Sequence, residues 1–217
     1  MYASIQDSYG ERLMISAQQA LQRLQEGNRR FVSGTGHGEE LFDTNRRDQL
    51  VSGQEPFAII LGCSDSRVPA EIVFDQGLGD LFVIRVAGNI VAPSQVGSVE
   101  FAAEQFKTPL VVVMGHTHCG AIRATIDELH RPVGERSKNI QAIVDRIRPS
   151  IESLVSTPLW EDQEEFVKHA TRANVRASVN QLRHGSALLE KLTEEQGLVI
   201  TGAEYDIQSG EIDFFEC

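Results

Sequence analysis

A chain of 217 residues, 41% hydrophobic and 24% charged, has the length for one well-filled core and the composition of a folded protein. That excludes a disordered or collagen-like chain and a mini-protein that depends on disulfides. Its 20 Lys and Arg against 31 Asp and Glu leave a formal charge of −11, which argues against nucleic acid as a partner, where cations must neutralise phosphates, and against an anionic membrane surface.

The first ten residues carry no basic stretch ahead of an apolar one, and the longest apolar runs fall far short of the ~20 residues of a membrane span. Neither a secretory signal nor a membrane is expected, and the expected compartment is the cytoplasm. Three cysteines are too few for a disulfide framework. In a reducing compartment Cys63 and Cys119 are expected to bind metal or do catalysis rather than form a disulfide, and Cys217, the last residue, is expected to be a free thiol.

Residues 1–15 read as a loose arm. Ser16, with Gln19 three residues on, makes a capping-box pattern; Leu21, Leu24, Asn28 and Phe31 continue at helical spacing and Gly34 ends the run. The Gly-rich stretch 34–40 follows a helix rather than a strand, so it fits neither a dinucleotide loop nor a P-loop. Unbroken apolar runs at 57–61, 81–84 and 110–114 suit strands buried on both faces. A helical stripe of Val99, Ala102, Ala103 and Phe106 separates the second run from the third, and one of Ile122, Ile126 and Leu129 follows the third. Ile140, Ile143, Val144 and Ile147 form another stripe, expected to break at Pro149. The charged run 161–165 reads as a solvated helix start, ahead of a stripe of Phe166, Ala170, Ala173, Val175, Ala177, Val179 and Leu182. The chain closes on 198–201, a turn at 208–210 and the run 211–215, a hairpin adding an antiparallel edge strand. The fold class that follows is α/β: a central, mostly parallel sheet flanked by helices, with that C-terminal edge strand and an N-terminal helical arm. One domain is expected over 1–217, with arm and helix at 1–34, the site-bearing core at 55–130, helices at 131–196 and the hairpin at 197–217.

Two short motifs carry the chemistry. C-S-D-S-R (63–67) follows the first apolar run, and H-T-H-C-G (116–120) follows the third. Ligands of open parallel sheets bind at the C-terminal ends of the strands, so Cys63, Asp65, His116 and Cys119 should share one rim. Two Cys and one His are a Zn²⁺ ligand set with a fourth position left for water or substrate. Two thiolates cancel the charge of the ion, so the site should be a weaker Lewis acid than a three-His zinc, with a bound water that ionises above the ~7 of strongly acidic zinc sites. His118 lies between two ligands and should point elsewhere. Asp65 can either close the metal site or pair with Arg67, whose planar fork matches a carboxylate.

C-S-D-S-R-V-P-A-E (63–71), R-V-A-G-N (85–89) and G-H-T-H-C-G (115–120), in this order and at these separations, resemble the β-class carbonic anhydrases. The resemblance covers roughly 16–130 and reaches more weakly to T-G-A-E-Y-D-I-Q-S-G (201–210). It implies reversible, zinc-dependent hydration of CO₂ to bicarbonate. It assigns Cys63, His116 and Cys119 as zinc ligands and Asp65 with Arg67 as the catalytic dyad. Asp65 would be the fourth ligand of a closed, inactive state. It further implies Gln54 as a hydrogen-bond donor to bicarbonate, with Phe82, Ala87 and Phe101 at the substrate pocket. It also implies homodimers whose cleft is built by both subunits, in some members paired into tetramers, so that Gln54 would serve across the interface. Some relatives hold an inhibitory bicarbonate with a Trp, an Arg and a Tyr; Ile60, Arg85 and Phe101 stand at those positions here, and only the arginine remains. Attack on CS₂ or COS, and a structural or bicarbonate-sensing zinc site, stay open at this point.

Overall fold

The computed structural model describes residues 15–38, 41, 43–130 and 137–217. Most of the arm expected at 1–15 lies outside them. In chain order come α1 (Ala17–Ser33), α2 (Thr44–Gln49), β1 (Ala58–Gly62), α3 (Ala70–Val73), β2 (Leu81–Arg85), α4 (Pro93–Gln105), β3 (Leu110–His116) and α5 (Gly120–His130). Then follow α6 (Lys138–Ile151), α7 (Gln163–His184), α8 (Ala187–Gln196), β4 (Val199–Tyr205) and β5 (Ile212–Phe215). A 3-10 turn, Ala87–Asn89, links β2 to α4.

The sheet runs β2-β1-β3-β4-β5, with β2, β1, β3 and β4 parallel and β5 antiparallel to β4. Its apolar runs are unbroken because both faces are covered. Ile59, Leu61, Val111, Val113 and Ile200 join Val175, Val179, Leu182 and Leu189 of α7 and α8 on one face. Ala58, Ile60, Leu110, Val112 and Met114 join Ala20, Leu24 and Phe74 on the other. Each buried Val, Ile or Leu contributes about 1.5–3 kcal/mol.

The helix ends follow the local chemistry. Ser16 and Gln19 form the capping box, and Gly34 closes α1 in the left-handed region at φ 68°. Asp162 caps α7 by accepting from the amides of Glu164 and Glu165. Three expectations need correction. Pro149 does not break its helix: α6 continues to Ile151, since a proline so near the C-terminus forfeits one hydrogen bond of the last turns. Ile140 is 52% exposed and lies off the core stripe. Ala177 is exposed and Ala173 only half-buried, because the face of α7 turned to the sheet carries Thr171, Asn174, Val175, Ser178 and Val179. Among the described residues, no helix is long and apolar enough to cross a membrane.

Candidate metal centre

β1 and β3 are neighbours, so the segments that leave their C-terminal ends meet. Cys63 follows β1 directly, His116 ends β3, and Cys119 precedes α5. Their ligand atoms lie within 4.8 Å of one another, and all three residues are buried. The two sulfurs are 4.0 Å apart. The turn that returns Cys119 to His116 needs a left-handed residue, and His118 supplies it at φ 57°. His118 itself is exposed, as expected of a residue between two ligands.

The donor set fits a metal ion. His116 Nδ1 lies 2.8 Å from the carbonyl of Thr117. A carbonyl only accepts, so Nδ1 carries the proton and Nε2 presents its lone pair. Nε2 is buried and has no hydrogen-bond partner. An orphaned basic nitrogen beside two thiols is what a thiophilic cation would satisfy.

The electrostatics agree. The hydrogen bond with Cys119 holds the Cys63 thiol far below its ordinary range; burial opposes this, and His116 and the Gly88 amide add to it. Cys119 is pushed up in turn by that same bond, by burial and by the charge on Cys63. The two thiols are thus strongly coupled, and a cation bound between them would compete with their protons. Burial disfavours the charged imidazole of His116, but the neighbouring Cys63 sulfur more than offsets this and its pKa is raised.

Asp65 stands beside the group rather than within it. Its Oδ2 is 3.9 Å from His116 Nε2. Arg67 grips it as a fork, Nε to Oδ1 at 2.9 Å and Nη2 to Oδ2 at 2.7 Å, with the Arg67 amide on Oδ1 at 3.0 Å. These bonds hold the Asp65 carboxyl far below the usual carboxylate range. Arg67 also reaches the carbonyl of His118 at 3.3 Å, which ties the two motifs together.

The other candidate residues divide. Ala87 sits on the turn next to Gly88, whose amide donates to Cys63 Sγ at 3.3 Å. Phe82 pairs in register with Ile59, four residues before Cys63 along β1 and therefore about 13 Å from the rim. Its ring joins those of Phe101 and Phe106, with centroids 5.7–6.3 Å apart. Gln54 lines a surface groove with Phe106, Leu78 and Val51. Within one chain these three therefore gather along the β2 edge, away from the cysteines. Ile60 is wholly buried in the core. Arg85 donates to the carbonyls of Cys63 at 3.0 Å and Asp65 at 2.6 Å, fixing the ligand loop. That positioning part was not read from the sequence, although R-V-A-G-N marked the segment.

A model of the carbonic anhydrase family matches residues 58–212. A carbonic anhydrase of Mycolicibacterium smegmatis is 38% identical over 196 residues, which cover 89% of this chain and 91% of that protein. Carbonic anhydrase 2 of Mycobacterium tuberculosis is 36% identical over 195 residues, 88% of this chain and 89% of its own. A β-carbonic anhydrase structure from Aspergillus fumigatus has the same fold, with a TM-score of 0.71 at 23% identity over 91% of this chain and 89% of that one. Because the family match runs through β1, β3 and all three metal-capable residues, the chain belongs to the β class of the carbonic anhydrases and is, with them, a lyase.

Proposed function

We propose that the chain catalyses the reversible, zinc-dependent hydration of CO₂ to bicarbonate and a proton. The observation that carries this reading is the meeting of Cys63, His116 and Cys119 around an unpartnered imidazole nitrogen, with the Asp65 carboxylate 3.9 Å from it. Cys63, His116 and Cys119 would hold Zn²⁺ and leave one position free. When bound, the metal supplies its chemistry by activating water as a nucleophile near neutral or alkaline pH.

The remaining steps belong to the chain. An ionised Asp65 can only accept a hydrogen bond, so it orients the nucleophile with a lone pair toward the carbon of CO₂. Arg67 keeps that carboxylate off the metal by holding both of its oxygens. Released from Arg67, Asp65 would be free to act as a fourth ligand and close the site. Ala87 lines the apolar approach, and Gln54, Phe82 and Phe101 complete the substrate pocket across a homodimer interface, with further pairing into a dimer of dimers open to test. The thiol ligands suit the reducing cytoplasm.

Metal analysis with stopped-flow CO₂ hydration at about pH 6.5 and about pH 8.5 tests the reading. Stoichiometric zinc and faster hydration at the higher pH are expected. Cys63→Ala should lose the metal. Asp65→Asn should keep it and lose at least about a hundredfold in turnover. Full activity of Asp65→Asn would remove its assigned role; a zinc-free, inactive parent would remove the whole reading.

A further inference from the structure

Three polar side chains of α7, Thr171, Asn174 and Ser178, are 2%, 2% and 5% exposed, although none can hold the metal. The helix comes this near to β3 because residue 115 is glycine: a Cβ there would lie 2.7 Å from Val175 Cγ2 and 3.3 Å from Thr171 Cγ2. At that approach, Asn174 Nδ2 donates to the carbonyl of Gly88 at 2.8 Å, and Ser178 Oγ donates to the carbonyl of Asn89 at 3.1 Å.

Gly88 and Asn89 are both left-handed, at φ 72° and 43°. Glycine and asparagine both tolerate this region, so which conformation the turn takes is left to the contacts made on it. Ile147 and Ala121 close the other side of the turn, where a Cβ on Gly88 would meet them at 2.8 and 3.0 Å. The Gly88 amide, so confined, donates to Cys63 Sγ at 3.3 Å.

We propose that Asn174 and Ser178 are positioning residues that aim the Gly88 amide at the Cys63 sulfur and so set how strongly that sulfur donates to a bound metal. The inference rests on Cys63 being a metal ligand, as proposed above. An amide donor withdraws electron density from a thiolate, and such outer partners tune both metal affinity and ligand electronics. Without the two carbonyl anchors, a turn containing glycine has other conformations of similar energy in which the amide points away.

The test uses the full chain loaded with Co²⁺, reading the sulfur-to-cobalt charge-transfer band and metal affinity by chelator competition. Asn174→Ala should move the band to lower energy, because the sulfur becomes more electron-rich, and weaken metal binding on the order of tenfold, because the Cys63 ligand loses its fixed position. Ser178→Ala should shift both in the same direction by less, and it decides the matter if Asn174→Ala does not fold. Val179→Ala, a buried apolar truncation of the same helix, should lower thermal stability and leave the band in place. Unmoved bands and unchanged affinity in the Asn174 and Ser178 variants would overturn the proposal, as would an equal shift in Val179→Ala. A parent protein with no sulfur band at all would overturn the metal reading together with it.

Discussion

Asp75 shows how one carboxylate can organise a loop at a distance from the metal centre. It is buried and left-handed at φ 48°. Arg30 Nε donates to it at 2.5 Å, the His37 amide at 3.0 Å, and the His37 ring lies 2.8 Å away. The segment that leaves α1 is thus tethered at His37. Burial alone would raise the Asp75 carboxyl, but the Arg30 and His37 hydrogen bonds more than offset it and the net shift is downward. A folded pKa below the unfolded value, ~3.9, gives stability that is complete above that value and is lost as pH falls through the folded one. Asn tolerates the same backbone region, so Asp75→Asn removes the charge without forcing the turn. We expect Asp75→Asn to be less stable by about 1–3 kcal/mol in urea unfolding at neutral pH. The gap should persist down to about pH 5 and close only below about pH 4. A gap of constant size into the acid range would mean that the charge of Asp75 is not what the loop uses.

At the scale of elements, α1 is placed by two contacts with backbone as well as by its apolar stripe. Gly27 faces the carbonyl of Phe74, and a Cβ there would lie 1.8 Å from that oxygen. Next to it, Asn28 Nδ2 donates to the carbonyls of Val73 and Gly210, and its Oδ1 accepts from the Ile212 amide. One helix is thereby locked to the end of α3 and to the C-terminal hairpin. Gly27→Ala should raise intrinsic helix propensity yet destabilise the protein by about 3 kcal/mol, because a backbone oxygen cannot move aside as a side-chain tip can. A urea midpoint equal to or above that of the parent would refute the close approach. The ends of α1 could be read in the sequence because Ser16, Gln19 and Gly34 act within a turn of where they sit. The role of Gly27 could not, since its partner lies in another element. α2 escaped for a different reason: T-N-R-R-D-Q buries no residue and so leaves no periodic trace. On α7 the apolar periodicity pointed to Ala173 and Ala177, whereas the polar Asn174 and Ser178 face inward because carbonyls of a distant turn await them.

For the whole molecule, the rim that unites Cys63 with His116 and Cys119 could be read from sequence because parallel strands put their C-terminal ends on one side, whatever the separation along the chain. The placing of Gln54, Phe82 and Phe101 could not, because their neighbours in one chain do not complete a site. They lie along β2, which is an edge of the sheet. Val51 is 85% exposed, Phe101 52% and Leu78 37%, and rings and groove connect them into one surface in which Arg47, Ser52 and Gln54 are interleaved. An open strand edge beside exposed aromatics is a surface that a soluble protein normally covers. A second copy covers it in the proposed dimer and brings Gln54 to a cleft that its own chain does not reach. We therefore expect the parent protein to sediment as a dimer or larger, and Phe101→Glu to shift it toward monomer, since a buried unpaired carboxylate costs several kcal/mol. The monomeric variant should retain stoichiometric metal, because Cys63, His116 and Cys119 all come from one chain, while CO₂ hydration falls with the loss of the dimer. A parent that sediments as a fully active monomer would contradict the shared cleft and return Gln54 and Phe101 to the ordinary surface.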